Sequence, residues 1–195
     1  MLKTKIEDQT LVFNEDSIIV EKTSENAYAG FEIMMSWEDG LMKRHAEVTC
    51  ENGGHILEIG FGMGIAANYI QQQNPESHTI IESHPQIIEK LKDWAADKPN
   101  VNVVEGRWID VIDSLGVYDG IFYDAFGDPD WPSLKEECKK ITKTGSIITL
   151  WNNGQDTTGN AYGFVDGVSY EEIDVAPAQN SYFNRDKYYL LKVVV

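Results

Sequence analysis

The sequence predicts an α/β fold in which a doubly wound sheet of about seven mostly parallel strands has helices on both faces. Three observations predict it. Short β-rich runs alternate with helical segments, a Gly60-x-Gly62-x-Gly64 turn joins one such strand to a helix, and the acidic residues Glu82 and Asp124 end two further strands. Such alternation is typical of a parallel sheet covered on both faces. Open α/β sheets bind ligands beyond the carboxyl ends of their strands, so we expect the functional site at that edge.

Composition and charge narrow the class of protein. The 195 residues are enough for one domain, and 16 basic against 32 acidic residues give a net charge of −16. Such a surface repels nucleic acid and anionic lipid and attracts cationic ligands. Cys50 and Cys138 form no disulfide framework or metal-binding pattern, and the sequence shows neither a secretory signal nor a membrane-spanning apolar run. We therefore expect a cytoplasmic protein that binds no metal, membrane or nucleic acid.

The first 30 residues are predicted to form an N-terminal extension, and residues 31–195 a single domain. Within the extension, apolar runs at 11–13 and 18–20 predict a hairpin, which is also a candidate lid over the site. Apolar residues at helical spacing then predict a helix over 34–48.

Beyond residue 50 the strands and helices alternate. β-branched and apolar residues fill the strands, whereas apolar residues three and four apart indicate the helices. The predicted strands are 56–59, 79–82, 101–104, 120–124, 146–150, 168–175 and 188–195. The predicted helices are 65–73, 85–96 and 132–141, with a short helix at most over 111–115.

The Gly-rich turn and two acidic residues predict the ligand. Glu58 lies in the strand before the turn, and Glu82 follows Gly60 by 22 residues, where a carboxylate accepts the ribose hydroxyls of an adenosine moiety. A dinucleotide site requires Gly or Ala where this chain has Ile65, and Glu58 would repel a pyrophosphate. S-adenosyl-L-methionine has a sulfonium and an ammonium and no phosphate. The pattern is typical of the Rossmann-like class I methyltransferase fold; a turn that binds nothing is the alternative.

Several motifs between residues 34 and 153 resemble the guanidinoacetate N-methyltransferase family. They are Trp37-Glu38, Ile56-Leu-Glu-Ile-Gly-Phe-Gly-Met-Gly-Ile-Ala-Ala67, Ile80-Ile-Glu82, Asp93-Trp94-Ala95, Gly106-Arg-Trp-Ile-Asp-Val111 and Asp119-Gly-Ile-Phe-Tyr-Asp124. Near the end of the chain, the segment from Val175 to Phe183 also resembles the family.

The resemblance and the Gly-rich turn together imply a set of site residues. Cofactor contacts are expected from Met34, Met42, Glu58, Gly60, Gly62, Met63, Gly64, Ile65, Ala66, Glu82, Ser83, His84, Arg107, Trp108 and Asp124. The resemblance implies that Glu38 and Asp124 hold the guanidino group of the substrate and are catalytic. Asn153 and Gly154 match the family's contacts to the other end of the substrate, but the region after the fifth strand is shortened here. How that end is held therefore stays open, and free arginine or another ω-guanidino acid is an alternative to guanidinoacetate.

Two carboxylates suit the chemistry of a guanidine. A guanidinium has a pKa above about 12 and is not a nucleophile while it is charged. Planar carboxylates match it bidentately, and one can hold the group while the other takes the proton. We therefore predict an S-adenosylmethionine-dependent N-methyltransferase acting on a small guanidino compound, as a monomer or homodimer.

Three alternatives use the same nucleotide-binding geometry. A protein-arginine methyltransferase-like enzyme usually adds a C-terminal β-barrel, for which 195 residues leave no room. An aminopropyl transferase-like enzyme would use a decarboxylated cofactor. A non-catalytic S-adenosylmethionine-binding module would bind the cofactor and ignore every guanidine.

Overall fold

A computed structural model describes residues 5–23 and 28–195. Its strands are β1 Leu11–Phe13, β2 Ser17–Val20, β3 Glu32–Met35, β4 His55–Ile59, β5 Ser77–Glu82, β6 Val101–Glu105, β7 Tyr118–Tyr123, β8 Thr142–Leu150, β9 Val168–Asp174 and β10 Lys187–Val194. Its α-helices are α1 Asp39–Thr49, α2 Ile65–Gln72, α3 Pro85–Ala95, α4 Trp108–Val111 and α5 Leu134–Cys138.

The central sheet has seven strands in the order β6-β5-β4-β7-β8-β10-β9. The pairs from β6 to β8 are parallel, whereas β10 is antiparallel to both of its neighbours. The predicted fold class is therefore confirmed. Strand order reverses direction at β4, since β5 and β6 lie on one side of it and β7 and β8 on the other. This switch point opens a crevice beyond the carboxyl end of β4.

Both faces of the sheet are covered. Leu57 packs in one cluster with Ile121 and Leu150, while Phe122 on the opposite face packs with Met42 of α1. Because the strands around β4 are buried on both faces, their ends are held rigidly, and the residues that follow them are fixed at the crevice.

The N-terminal region forms a second, three-stranded sheet. β1 and β2 make an antiparallel hairpin with Leu11 opposite Val20, and β3 joins β2 with Met34 opposite Ile18. The helix predicted over 34–48 is therefore wrong at its start: Met34 lies in a strand, a 3₁₀ turn covers Ser36–Glu38, and α1 begins at Asp39. Pairing with β2 overrides the local helical spacing of the apolar residues.

The predicted division at residue 30 stays a prediction. The sheet of β1, β2 and β3 includes strands from both sides of that boundary. Residues 1–4 and 24–27 of the predicted extension lie outside the described residues.

The connection from β8 to β9, residues 151–167, contains no α-helix and only the 3₁₀ turn Asn160–Tyr162. Asn152, which is fully buried, anchors this connection: its side-chain amide donates to the carbonyl oxygens of Asp156 at 2.8 Å and Tyr189 at 2.7 Å. The helix predicted over 132–141 is shorter than expected, since α5 ends at Cys138. Among the described residues, no helix has the length and apolarity needed to cross a membrane.

Candidate active site

A cleft of about 850 Å³, counting its open mouth, lies beyond the carboxyl ends of β4, β5 and β7. The residues that were predicted to bind the cofactor and that line this cleft are Met34, Met42, Glu58, Gly60, Gly62, Ala66, Glu82, Ser83, His84, Arg107, Trp108 and Asp124. Asp128 after β7 also lines it, and Ile6, Glu7 and Phe126 line it without having been predicted.

The Gly-rich turn allows the ends of β4 and β7 to approach closely. Gly60 has φ 94°, and a Cβ atom there would lie 2.1 Å from the carbonyl oxygen of Asp124. At Gly62, φ is 54° and a Cβ atom would lie 2.6 Å from Met34 Sδ. Only glycine meets both demands at no steric cost, so the turn shapes the floor of the cleft.

Three predicted residues of the turn do not line the cleft. Met63 donates its backbone N–H to Met34 Sδ at 3.2 Å, Gly64 precedes the first turn of α2, and Ile65 is the first residue of that helix. These three residues belong to the turn and to the start of α2 without facing the cleft.

Glu82 presents a carboxylate fixed by backbone donors. Oε1 accepts from the N–H groups of Ser83 and His84, both at 2.8 Å, and Oε2 accepts from Phe61 N–H at 3.0 Å. A carboxylate has about four acceptor sites, so Oε2 keeps one for a ligand in the cleft. This arrangement fits the ribose hydroxyls of an adenosine moiety.

We expect Glu82→Gln to weaken binding of S-adenosylmethionine by about 10–100-fold, because hydrogen bonds to a charged group contribute about 1.5–3 kcal/mol. Titration calorimetry measures the affinity. Glu105→Gln is the matched control, since Glu105 is the register neighbour of Glu82 on β6 but pairs with Lys92 at the surface. Equal affinities of Glu82→Gln and the wild type would contradict this role.

Glu58 is a buried carboxylate with incomplete hydrogen bonding. His78 Nε2 lies 2.8 Å from Glu58 Oε2, an ion-pair distance whose alignment falls short of a hydrogen bond. Neither oxygen of Glu58 has a hydrogen-bond partner among the described residues. Burial raises the pKa of Glu58, and the nearby imidazole opposes that rise. A cationic ligand in the cleft would supply the positive charge that the Glu58 carboxylate lacks.

Arg107 is occupied by acidic neighbours. Its guanidinium forms an ion pair with Asp130 and lies 3.7 Å from Glu7 and 3.9 Å from Asp128. Trp108 Nε1–H donates to Asp128 Oδ2 at 2.6 Å. Arg107 and Trp108, both predicted to contact the cofactor, thus line the cleft, and they also tie the loop after β7 to the N-terminal region.

Glu38 and Asp124 approach from different elements. Glu38 ends the 3₁₀ turn before α1 and is 3% exposed, and Asp124 follows β7 and lines the cleft. Burial raises the pKa of Glu38 to about 7. Burial and then the negative charges of Glu38 and Glu58 raise the pKa of Asp124 well above its usual range. The site therefore brings acidic groups together, and Arg107, the arginine among the described residues that line it, is already paired with Asp130.

Glu38 does not line the cleft directly, and a tyrosine binds its carboxylate. Tyr182, from the loop between β9 and β10, donates its hydroxyl to Glu38 Oε1 at 2.5 Å. Sequence reasoning assigned Tyr182 no role. The available signal was the resemblance of the segment before Phe183 to the family, which placed two aromatic residues there. Asn153 and Gly154 lie on an exposed turn and do not line the cleft.

A model of the family described as guanidinoacetate N-methyltransferase matches residues 4–186. The chain belongs to the guanidinoacetate N-methyltransferase family. The predicted family and class I methyltransferase fold are therefore confirmed, and S-adenosylmethionine is the cofactor of that class. Among the described residues, no group of three or more His, Cys, Asp or Glu side chains could hold a metal ion.

Two curated relatives match more than half of this chain. The chain is similar to protein arginine N-methyltransferase 2 of Candida glabrata, at 38% identity over 60% of this chain and 30% of that protein. It is similar to the protein of the same name in Saccharomyces cerevisiae, at 35% identity over 77% of this chain and 37% of that protein. The match thus spans only about a third of these relatives.

A solved structure shows the same fold. The O-methyltransferase from Bacillus cereus, in complex with SAH, aligns with a TM-score of 0.59 and 17% identity over 80% of this chain and 81% of that chain. At this identity the likeness concerns the fold alone.

Proposed function

We propose that this guanidinoacetate N-methyltransferase family member transfers the methyl group of S-adenosylmethionine to a nitrogen of a guanidino group. The observation that carries the proposal is a pair of acidic side chains: Asp124 lines the cleft, and the buried Glu38, which does not line it, is near enough for its negative charge to raise the pKa of Asp124. Two such carboxylates suit a planar cation that must lose a proton.

The residues of the cleft fit S-adenosylmethionine. Glu82 offers an acceptor for ribose, and the unpaired oxygens of Glu58 suit an ammonium or sulfonium. A pyrophosphate would meet five carboxylates, those of Glu7, Glu58, Glu82, Asp124 and Asp128, and Arg107 is already ion-paired. When bound, S-adenosylmethionine supplies an electrophilic methyl group.

The two carboxylates divide the work on the substrate. Glu38 Oε1 is fixed by two donors, so this residue is suited to hold the guanidinium in one orientation. The Asp124 side chain makes no hydrogen bond among the described residues, and its raised pKa suits a base. Asp124 takes the proton that leaves nitrogen as the N–C bond forms, and the electron pair of the broken C–S bond stays on sulfur.

An arginine side chain in a polypeptide is a second candidate substrate, and one observation favours it. Of the described residues that line the cleft, only Arg107 and His84 have basic side chains. Arg107 is ion-paired, and both ring nitrogens of His84 are engaged, with Gln9 O and Gln86 N–H. The carboxylate of guanidinoacetate would therefore find no free cation among them. The name of the two yeast relatives also supports arginine in a protein, and the acidic surface would attract a basic peptide.

A methyl-transfer assay with labelled S-adenosylmethionine tests the proposal. The panel contains guanidinoacetate, arginine, agmatine, an arginine-containing peptide, and putrescine as an amine control. We expect transfer to a guanidine and none to putrescine, with agmatine or the peptide preferred to guanidinoacetate. Cofactor binding without transfer to any guanidine would overturn the proposal and favour a binding module. A propylamine product from decarboxylated cofactor would favour an aminopropyl transferase.

A further inference from the structure

The Glu38 carboxylate is held on one side only. Oε1 accepts two hydrogen bonds, from Tyr182 OH at 2.5 Å and from Met35 N–H at 2.9 Å. Oε2 makes no hydrogen bond among the described residues. A carboxylate whose one oxygen is saturated by fixed donors presents the other oxygen in a defined direction.

The loop that carries Tyr182 is built to hold it in place. Asn180 Oδ1 accepts from the N–H groups of Tyr182 at 3.0 Å and Phe183 at 2.6 Å, and Asn180 Nδ2 donates to Phe183 O at 2.8 Å. Ser181 donates to Glu32 of β3, which ties the loop to the strand that leads into Glu38.

Aromatic packing fixes the ring itself. Tyr182 stacks on Trp37 with ring centroids 6.2 Å apart and meets Trp151 edge-on at 6.3 Å. The ring is therefore held from two sides, and its hydroxyl has little freedom to leave Glu38.

We infer that Tyr182 is a positioning residue for the proposed reaction, which orients Glu38 so that Oε2 receives the guanidinium. This inference rests on the proposed function. Tyr182 acts as a donor and not as a base, because burial and the neighbouring charge of Glu38 raise the pKa of its hydroxyl. In the same way burial keeps Tyr188, a further tyrosine near Glu38, protonated.

The inference predicts a specific change in pH dependence. The titratable groups that face Glu38 are Asp124 after β7, Tyr182 in the loop and Tyr188 on β10. The low-pH limb of kcat/KM therefore reports the two carboxylates as a pair. The hydrogen bond from Tyr182 favours ionised Glu38 and lowers its pKa. Removing that bond should move the limb to higher pH.

The test compares Tyr182→Phe with the wild type. We expect the limb to shift upward by about one pH unit, so that kcat/KM falls about tenfold at low pH and recovers as the pH rises. Binding of S-adenosylmethionine should be unchanged. Tyr69→Phe is the matched control, since it removes a tyrosine–carboxylate bond, to Asp39 at 2.9 Å, on the exposed surface. Tyr69→Phe should leave the limb in place.

Other outcomes separate this inference from the function on which it rests. An unmoved limb in Tyr182→Phe would overturn the role of Tyr182 and leave the proposed function standing. Calorimetric binding of agmatine across the same pH range gives a readout without turnover, and it should show the same shift. The wild type could bind agmatine with an affinity that falls at low pH in the same way and yet methylate no guanidine. In that case the proposed reaction fails, while the role of Tyr182 in holding Glu38 stands.

Discussion

Replacing Asp124 by asparagine should lower the rate of methyl transfer by about 10²–10⁴-fold, the usual contribution of a positioned general base. Asparagine keeps the shape of the side chain and cannot accept the proton that leaves the guanidinium. Affinity for S-adenosylmethionine should stay near the wild-type value, because Glu82 and the Gly-rich turn remain. Single-turnover transfer of a labelled methyl group and titration calorimetry give the two quantities.

Asp113→Asn is the control for this substitution. Asp113 is exposed and pairs with Lys140, away from the cleft. Normal turnover in Asp124→Asn would exclude Asp124 as the base. Loss of cofactor binding together with turnover would instead place its main effect on the cofactor.

The sequence was sufficient to locate the nucleotide site because that site is built from local segments. The Gly60-x-Gly62-x-Gly64 turn, Glu82 and Asp124 each follow a strand directly, so the parallel topology alone brings them to one edge. Right-handed crossovers place the loops that follow parallel strands at the same edge of the sheet.

The surroundings of Glu38 could not be predicted in the same way. Its environment depends on β3 pairing with β2, which turned a predicted helix into a strand, and on Tyr182, which is 144 residues away. Ile6 and Glu7 also reach the cleft from a distant part of the chain. Apolar periodicity records what a segment buries but not which remote segment packs against it. Only the tertiary structure shows that Glu38 is buried.

The same burial of carboxylates lowers the free energy of unfolding of the protein. Glu38, Glu58 and Asp124 all have raised pKa values because they are withdrawn from water, and the negative charges of Glu38 and Glu58 oppose the ionisation of Asp124. Ionised carboxylates that are buried without cations lower the stability of the folded protein, and they favour the binding of cations. Binding a guanidinium and a sulfonium beside them would offset this destabilisation, which couples ligand binding to stability.

Glu38→Gln should therefore lose activity and gain stability at the same time. Loss of the charge that holds the guanidinium should lower kcat/KM by about 10²–10³-fold, as expected for one partner of a buried charge pair. Glu38 has a pKa of about 7 in the folded protein against an ordinary value of 4.5. Below the ordinary value both states are protonated and the substitution has little effect on stability.

Between those two values the folded state binds the extra proton, so wild-type stability falls as the pH rises. Above about pH 7 the cost is complete at roughly 3 kcal/mol, and glutamine removes it while still accepting from Met35 N–H and Tyr182 OH. Urea unfolding should thus show Glu38→Gln more stable than the wild type at high pH and equal to it at low pH. A variant inactive through damaged packing would instead be less stable at every pH. A variant that is less active and more stable would show that the buried Glu38 carboxylate serves activity and destabilises the folded protein.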